Sequence, residues 1–172
     1  MTLEVPPGPA RTAPVEVLVC GSPDRGDDGA PIAAAALLHG QLPEAVRMRI
    51  VGGLDVDHLL SVPADAGFVI VDAATGLRPG QVVDLPLNEL SGRRGEPRPR
   101  SSHTLAFSEV LGLAELIQGR PLQGRIVAIG GTAFGLGSPP SEPVAAAIPE
   151  LVAAIISAIE AVRGSVRLGA RS

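Results

Sequence analysis

One stretch, VEVLVCGSPDRGDDGAPIAAAALL at residues 15–38, restricts the fold of this chain more than any other. Residues 15–20 form an apolar run rich in β-branched side chains, which predicts a buried strand, and the alanine-rich residues 30–38 predict a helix. The segment between them ends in the turn Gly26-Asp27-Asp28-Gly29. Two carboxylates therefore fall where a strand passes into a helix, which is where open α/β sheets place their ligands. Three readings of the pair compete. Asp27 or Asp28 can cap the helix, accepting backbone N–H groups at the positive end of its dipole. A phosphate loop is disfavoured, because acids repel phosphate and GSPDRGDDGA fits neither a dinucleotide fingerprint nor a P-loop. The third reading is a metal ligand, which needs partners from elsewhere in the chain.

The rest of the chain alternates in the same manner. Residues 46–51 predict a half-exposed strand ended by Gly52-Gly53, and residues 54–61 a short helix with Asp55 or Asp57 near its start. Residues 68–72, FVIVD, are continuously apolar up to Asp72, the pattern of a strand buried on both faces. Residues 81–85 predict a strand at an edge or folded back antiparallel beside its neighbour, since no helix separates the two. Residues 91–102, with four arginines, read as a solvated linker or as a docking segment for an acidic partner surface. His103 follows at the mouth of an amphipathic helix over 104–118. A buried strand at 125–129 and a Gly/Pro-rich loop at 132–140, expected to form a wall of the cleft, precede a last helix to about residue 162. Pro149 is expected to kink or split that helix. The pattern predicts an α/β fold: a three-layer sandwich in which a twisted, mostly parallel sheet carries helices on both faces. A single domain over 15–163 is expected, with a flexible Pro-rich arm at 1–14 and a frayed tail at 164–172.

Composition bounds what such a domain can do. With 172 residues, 45% of them hydrophobic but only 2% aromatic, the core has to be built from Val, Leu, Ile and Ala. A net charge of -4 argues against nucleic-acid binding. The single cysteine, Cys20, excludes an internal disulfide and any Cys-cluster metal site. The N-terminus lacks the basic and apolar regions of a secretion signal, and the longest apolar stretch is interrupted by Pro149 and Glu150, too short a clean span to cross a bilayer. A soluble cytoplasmic protein without a membrane partner is expected, and a monomer.

Asp28, Asp72 and His103 all fall at element ends expected to face one rim. Two carboxylates and an imidazole suit a borderline divalent ion such as nickel or zinc, and three protein ligands leave positions open for water or substrate. Taken singly, each has a second reading, Asp72 as a loop cap and His103 as a helix cap. A Cys20–His103 nucleophile pair is disfavoured, because a thiol within an apolar strand is most often inert packing. His39 ends the first helix and His58 lies on a short one, and both read as structural.

The ordered set VEVLVCGSPDRGDDGAPIAAAALL, VGGLDVDHLL, FVIVDAATGLRPG, SSHTLAFSEVLGLAELI and IVAIGGTAFGLGSPPSEPVAAAIPELVAAI resembles the [NiFe]-hydrogenase maturation endopeptidases across roughly residues 15–162. The resemblance implies an α/β sandwich and a peptidase that removes the C-terminal peptide of a hydrogenase large-subunit precursor once nickel has been inserted. It also implies that Asp28, Asp72 and His103 contact the nickel carried by that precursor, so that the metal is a mark on the substrate as much as a cofactor. Asp28 or Asp72 could double as general base, while Asp27, Gly26 and Gly29 shape the turn. The chain departs from the family pattern at Val51 and Leu54, where an Asp and a Thr or Ser are usual, at Ser22 for Asn, and at Ser102 and Thr104 for the Pro and Gln that flank the histidine. These departures bear on substrate range and turnover, and they motivate an alternative: a non-proteolytic, nickel-dependent docking or checkpoint protein for hydrogenase assembly.

Overall fold

The computed structural model describes residues 14–91 and 107–169. The expectations for the arm before Pro14, for nearly all of the 91–102 segment, and for Ser102, His103 and Thr104 therefore fall outside the described residues. Among the described residues, five strands form one sheet: β1 (Val15–Cys20), β2 (Val46–Gly52), β3 (Gly67–Ala74), β4 (Val82–Pro86) and β5 (Gly124–Gly130), in the spatial order β2-β1-β3-β5-β4. All neighbours are parallel except β4, which runs antiparallel to β5. Among the same described residues, five helices accompany the sheet: α1 (Ala30–Leu38), α2 (Val56–Leu60), α3 (Asn88–Ser91), α4 (Phe107–Gln118) and α5 (Glu142–Gly169).

The alternation of side chains along each strand sorts the core into two layers. Val15, Val17 and Val19 of β1, with Val69, Val71, Val127 and Ile129, meet α1 and α5 on one face. Leu18 and Cys20, with Phe68, Ile70, Ile126 and Ala128, meet α2 and α4 on the other. On α1 the buried residues include Ala30, Ala34, Ala35 and Leu38, the i, i+4 stripe that lets a helix of small side chains lie close on the sheet. The three-layer α/β expectation holds.

Strand β4 holds an edge, as one reading of the sequence had it, but its partner is β5 and not the preceding β3. The reason is burial. Residues 126–130 of β5 are buried and belong inside the sheet, so β5 takes the free edge of β3, while every residue of β4 is only half-buried. Pro86 ends β4, where a missing N–H costs least. Asp84 and Arg125 fasten the pair with a 2.7 Å ion pair.

Helix α5 departs from expectation in two ways. It runs unbroken from Glu142 to Gly169 with Pro149 inside it. Pro149 and Ala145 both face water, so solvent can satisfy the carbonyl that the missing N–H leaves free. Its 142–165 portion is also long and apolar enough to cross a membrane by length and composition, contrary to the expectation of too short a span. One stripe of that helix, Val144, Leu151, Ile155, Ala158, Ile159 and Val162, is buried in the α1-side core, as in the core helix of a globular protein. Leu151→Ala should therefore cost about 3 kcal/mol, read as a lower midpoint in urea unfolding.

Candidate active site

Both acids of interest lie at the carboxyl ends of the two central strands. From β1 the chain passes to β2 on one side, while β3 pairs onward with β5 on the other, so the β1/β3 boundary is the switch point of the sheet. The parallel register sets Leu18 beside Ile70 and Val19 beside Val71, which carries Cys20 and Asp72 to adjacent places on the α2/α4 face. The chain leaving β1 turns through a short 3-10 segment, Gly26–Gly29, that carries Asp28 back to the same rim.

Two glycine conformations make this turn possible. Gly21 has φ +114, and a Cβ there would lie 2.2 Å from the Asp28 carbonyl oxygen. Gly26 has φ +59, and its Cβ would lie 2.2 Å from the Ala133 carbonyl oxygen. Both positions need the left-handed backbone that glycine adopts without strain. Gly29 is in the ordinary right-handed region at φ -80 and caps α1, and it serves the turn by its small size, since a Cβ there would lie 3.1 Å from the Pro23 carbonyl oxygen.

Asp28 and Asp72 interact. Burial pushes the Asp72 carboxyl up to about 7, with the neighbouring Asp28 charge adding to the rise and the Ala73 N–H, 2.8 Å from its Oδ1, opposing it. Burial also raises Asp28, against the pull of the Arg25 guanidinium and the Ser22 N–H. Two carboxylates that both resist ionisation in one cleft hold a carboxylate near its titration point at neutral pH, the condition for a general base. The same pair would be relieved by a divalent cation. No set of three His, Cys, Asp or Glu groups able to hold an ion occurs among the described residues.

Asp27 does something else. It caps neither α1 nor its own turn. Its fully buried carboxylate accepts the N–H groups of Thr132 and Ala133 at 2.8 Å each and of Ser141 at 2.7 Å. Burial alone would raise its pKa, but these bonds from Ala133, Ser141 and Thr132 hold it below the usual carboxylate range. Local sequence carries no sign of this, because the donors lie more than a hundred residues away.

Cys20 is buried, and its thiol is pushed strongly up by burial and then by the charges of Asp72 and Asp28. A thiolate nucleophile is unfavourable there. Cys20→Ala should leave the fold intact at a stability cost of about 1 kcal/mol, read as a small drop in the urea midpoint. His58 turns out to close a capping box at the start of α2: its N–H donates to Asp55 Oδ1 at 2.9 Å, and its Nδ1 accepts the Asp55 N–H at 3.2 Å. His39 ends α1. Val51 and Leu54 pack against the α2/α4-side core, so apolar contact occupies the positions where the resembled pattern carries polar groups.

A five-stranded sheet, parallel except for its antiparallel edge strand and covered by helices on both faces, superposes on known structures. The fold is that of the [NiFe] hydrogenase maturation proteases. The maturation protease HybD from Thermococcus kodakarensis superposes with TM-score 0.66 at 23% identity, covering 84% of this chain and 97% of its own. The hydrogenase maturating endopeptidase HybD from E. coli does so with TM-score 0.70 at 20% identity, covering 86% and 92%. HycI, a [NiFe] hydrogenase maturation protease from T. kodakarensis KOD1, gives 0.65 at 18% identity over 88% and 95%. No protein-family model and no curated protein sequence matches the chain. At such identities it is the backbone arrangement that is shared: within this maturation-protease fold, Asp28 and Asp72 sit on the rim described above.

Proposed function

We propose that this protein is an endopeptidase that removes the C-terminal peptide of a [NiFe]-hydrogenase large-subunit precursor after nickel insertion, working as a soluble cytoplasmic enzyme. The observation that carries this reading is the pairing of Asp28 with Asp72 at the switch point of a maturation-protease fold. In this reading the precursor brings the nickel as part of the substrate, and Asp28, Asp72 and His103 grip it. Helix α4, which follows the His103 segment, packs through Phe107 on the face that carries Asp72, and this supports the third ligand.

The geometry suggests a sequence of roles. The nickel seats between the carboxylates and discharges their repulsion, which fixes the peptide that follows it in the chain. The scissile carbonyl then lies beside the two carboxylates, both kept ionised by the metal, and an oxygen of Asp28 or Asp72 left free of it can take the proton of an attacking water. Fixing the cut to a metal mark restricts cleavage to the nickel-loaded precursor.

The apolar packing of Val51 and Leu54 favours a second reading, the nickel-dependent checkpoint protein that binds and does not cut. One experiment separates the two. The purified protein is incubated with nickel-loaded and nickel-free precursor, alongside Asp28→Asn, Asp72→Asn and His103→Ala, and the products are read by intact mass. Loss of a C-terminal peptide with wild type and nickel-loaded precursor only is the expected outcome. Nickel-dependent binding with no change in mass would give the checkpoint reading, and absence of both would leave a shared fold without a shared activity.

A further inference from the structure

The loop that follows β5 is not held as surface loops usually are. Residues 131–141 form no helix or strand, yet six hydrogen bonds tie them to the turn that carries Asp28. Three run from Thr132, Ala133 and Ser141 to the Asp27 carboxylate. The others run from Asp27 N–H to the Ala133 carbonyl at 2.7 Å, from Gly26 N–H to Ser138 at 2.9 Å, and from Gly137 N–H to Asp24 at 2.7 Å. The loop so fixed carries Leu136, 82% exposed to water. A single exposed leucine is unremarkable on a mobile loop, but here the ordering entropy of its backbone has been met before any partner arrives, which is what a preorganised contact requires.

We propose that Asp27 is a positioning residue that holds the 131–141 loop as a preformed wall of the peptide cleft, and that Leu136 on this wall selects an apolar side chain in the precursor peptide joined to the metal. The identity of the partner rests on the reading under "Proposed function". A carboxylate suits the task because it is acceptor-only and takes all three N–H groups at once, whereas an amide turns an NH2 group toward at least one of them. The side chain at 27 thus joins two parts of the site: its neighbour Asp28 faces the metal, while its own oxygens hold the surface along which the peptide lies.

The test uses the full chain and nickel-loaded precursor with Asp27→Asn, Leu136→Ser and the core control Leu151→Ala, all held well below their melting temperatures. Three quantities are read: amide hydrogen exchange at residues 132, 133 and 141, affinity for the precursor by biolayer interferometry, and cleavage by mass. Asp27→Asn should lose protection at these amides and bind the precursor about tenfold or more weakly. Leu136→Ser should keep wild-type protection and melting temperature yet bind about five- to tenfold more weakly, with kcat within about twofold of wild type. Leu151→Ala should lose stability and keep its affinity. Wild-type affinity in Leu136→Ser, or an Asp27→Asn no weaker in binding than Leu151→Ala, overturns the proposal, and Leu136→Ser decides it alone if Asp27→Asn does not fold. Wild type that binds without cleaving removes the peptidase reading and leaves the wall standing, whereas wild type that does neither removes both.

Discussion

Asp72→Asn is expected to abolish precursor processing and, at neutral pH, to stabilise the free protein. The first effect follows from the proposed role of this carboxylate as nickel contact or base, whose loss costs about 10²–10⁴-fold in rate for a group of this kind. The second follows from burial. In the folded chain the Asp72 carboxyl is pushed up to about 7 from the ordinary 3.8, so the fold binds its proton more tightly than the unfolded chain does. The contribution of the neutral group is complete below about pH 4, falls as pH rises, and is lost above about pH 7. An asparagine never ionises and escapes that loss. At one kcal-scale step per pKa unit the advantage of the variant reaches about 2–4 kcal/mol above pH 7, or roughly 5–10 °C in melting temperature. It should vanish below about pH 4. Calorimetry of both proteins from pH 4 to 8 checks this, and a difference independent of pH would show that Asp72 is not held neutral by its surroundings. Gain of stability with loss of function marks a residue kept for chemistry.

Gly21→Ala is expected to damage both the fold and the site. The alanine methyl would sit 2.2 Å from the Asp28 carbonyl oxygen and 3.5 Å from its Oδ1, on a backbone at φ +114 that side chains rarely adopt. Relief requires the turn to move away from β1, which breaks the Ser22 N–H to Asp28 carbonyl bond at 3.2 Å and carries the carboxylate with it. The cost should be about 2–4 kcal/mol, with precursor affinity lost even where the variant remains folded. Guanidinium unfolding gives the first quantity and nickel-dependent precursor binding the second. A variant that unfolds at the wild-type midpoint, or that binds as the wild type does, would mean that Asp28 is not held through this contact.

The two predictions differ in how visible their grounds are in the chain itself. Asp72 ends a run of apolar residues, and no other feature is needed to expect a carboxylate at the end of a buried strand. That its carboxyl is pushed up depends first on burial and then on the charge of Asp28, forty-four residues earlier, and both are set only when the chain folds. Asp27 shows the same limit more sharply. Its neighbours in sequence suggest a helix cap, the commonest use of an acid in such a place, but its oxygens are taken by a loop after β5. Strand β4 could be recognised as a strand and as a candidate edge from its composition, whereas its partner could not. Pairing is a choice among strands, and β5 is the more apolar claimant to the place beside β3.

What the sequence determined by itself was local and periodic: the buried strands, the alanine-rich α1, the amphipathic α4 and the acids at strand ends. These follow from side-chain pattern and backbone preference, which act over a few residues. Only the tertiary structure decided which faces met which helices, which strand β4 paired with, and that α5 could pass through Pro149 with a carbonyl turned to water. It also decided that one acid of the Asp27–Asp28 pair would secure a distant loop while the other faced the cleft. The reason is physical: burial, hydrogen-bond satisfaction and charge repulsion are settled between segments brought together by folding, and no residue states in advance which segment that will be.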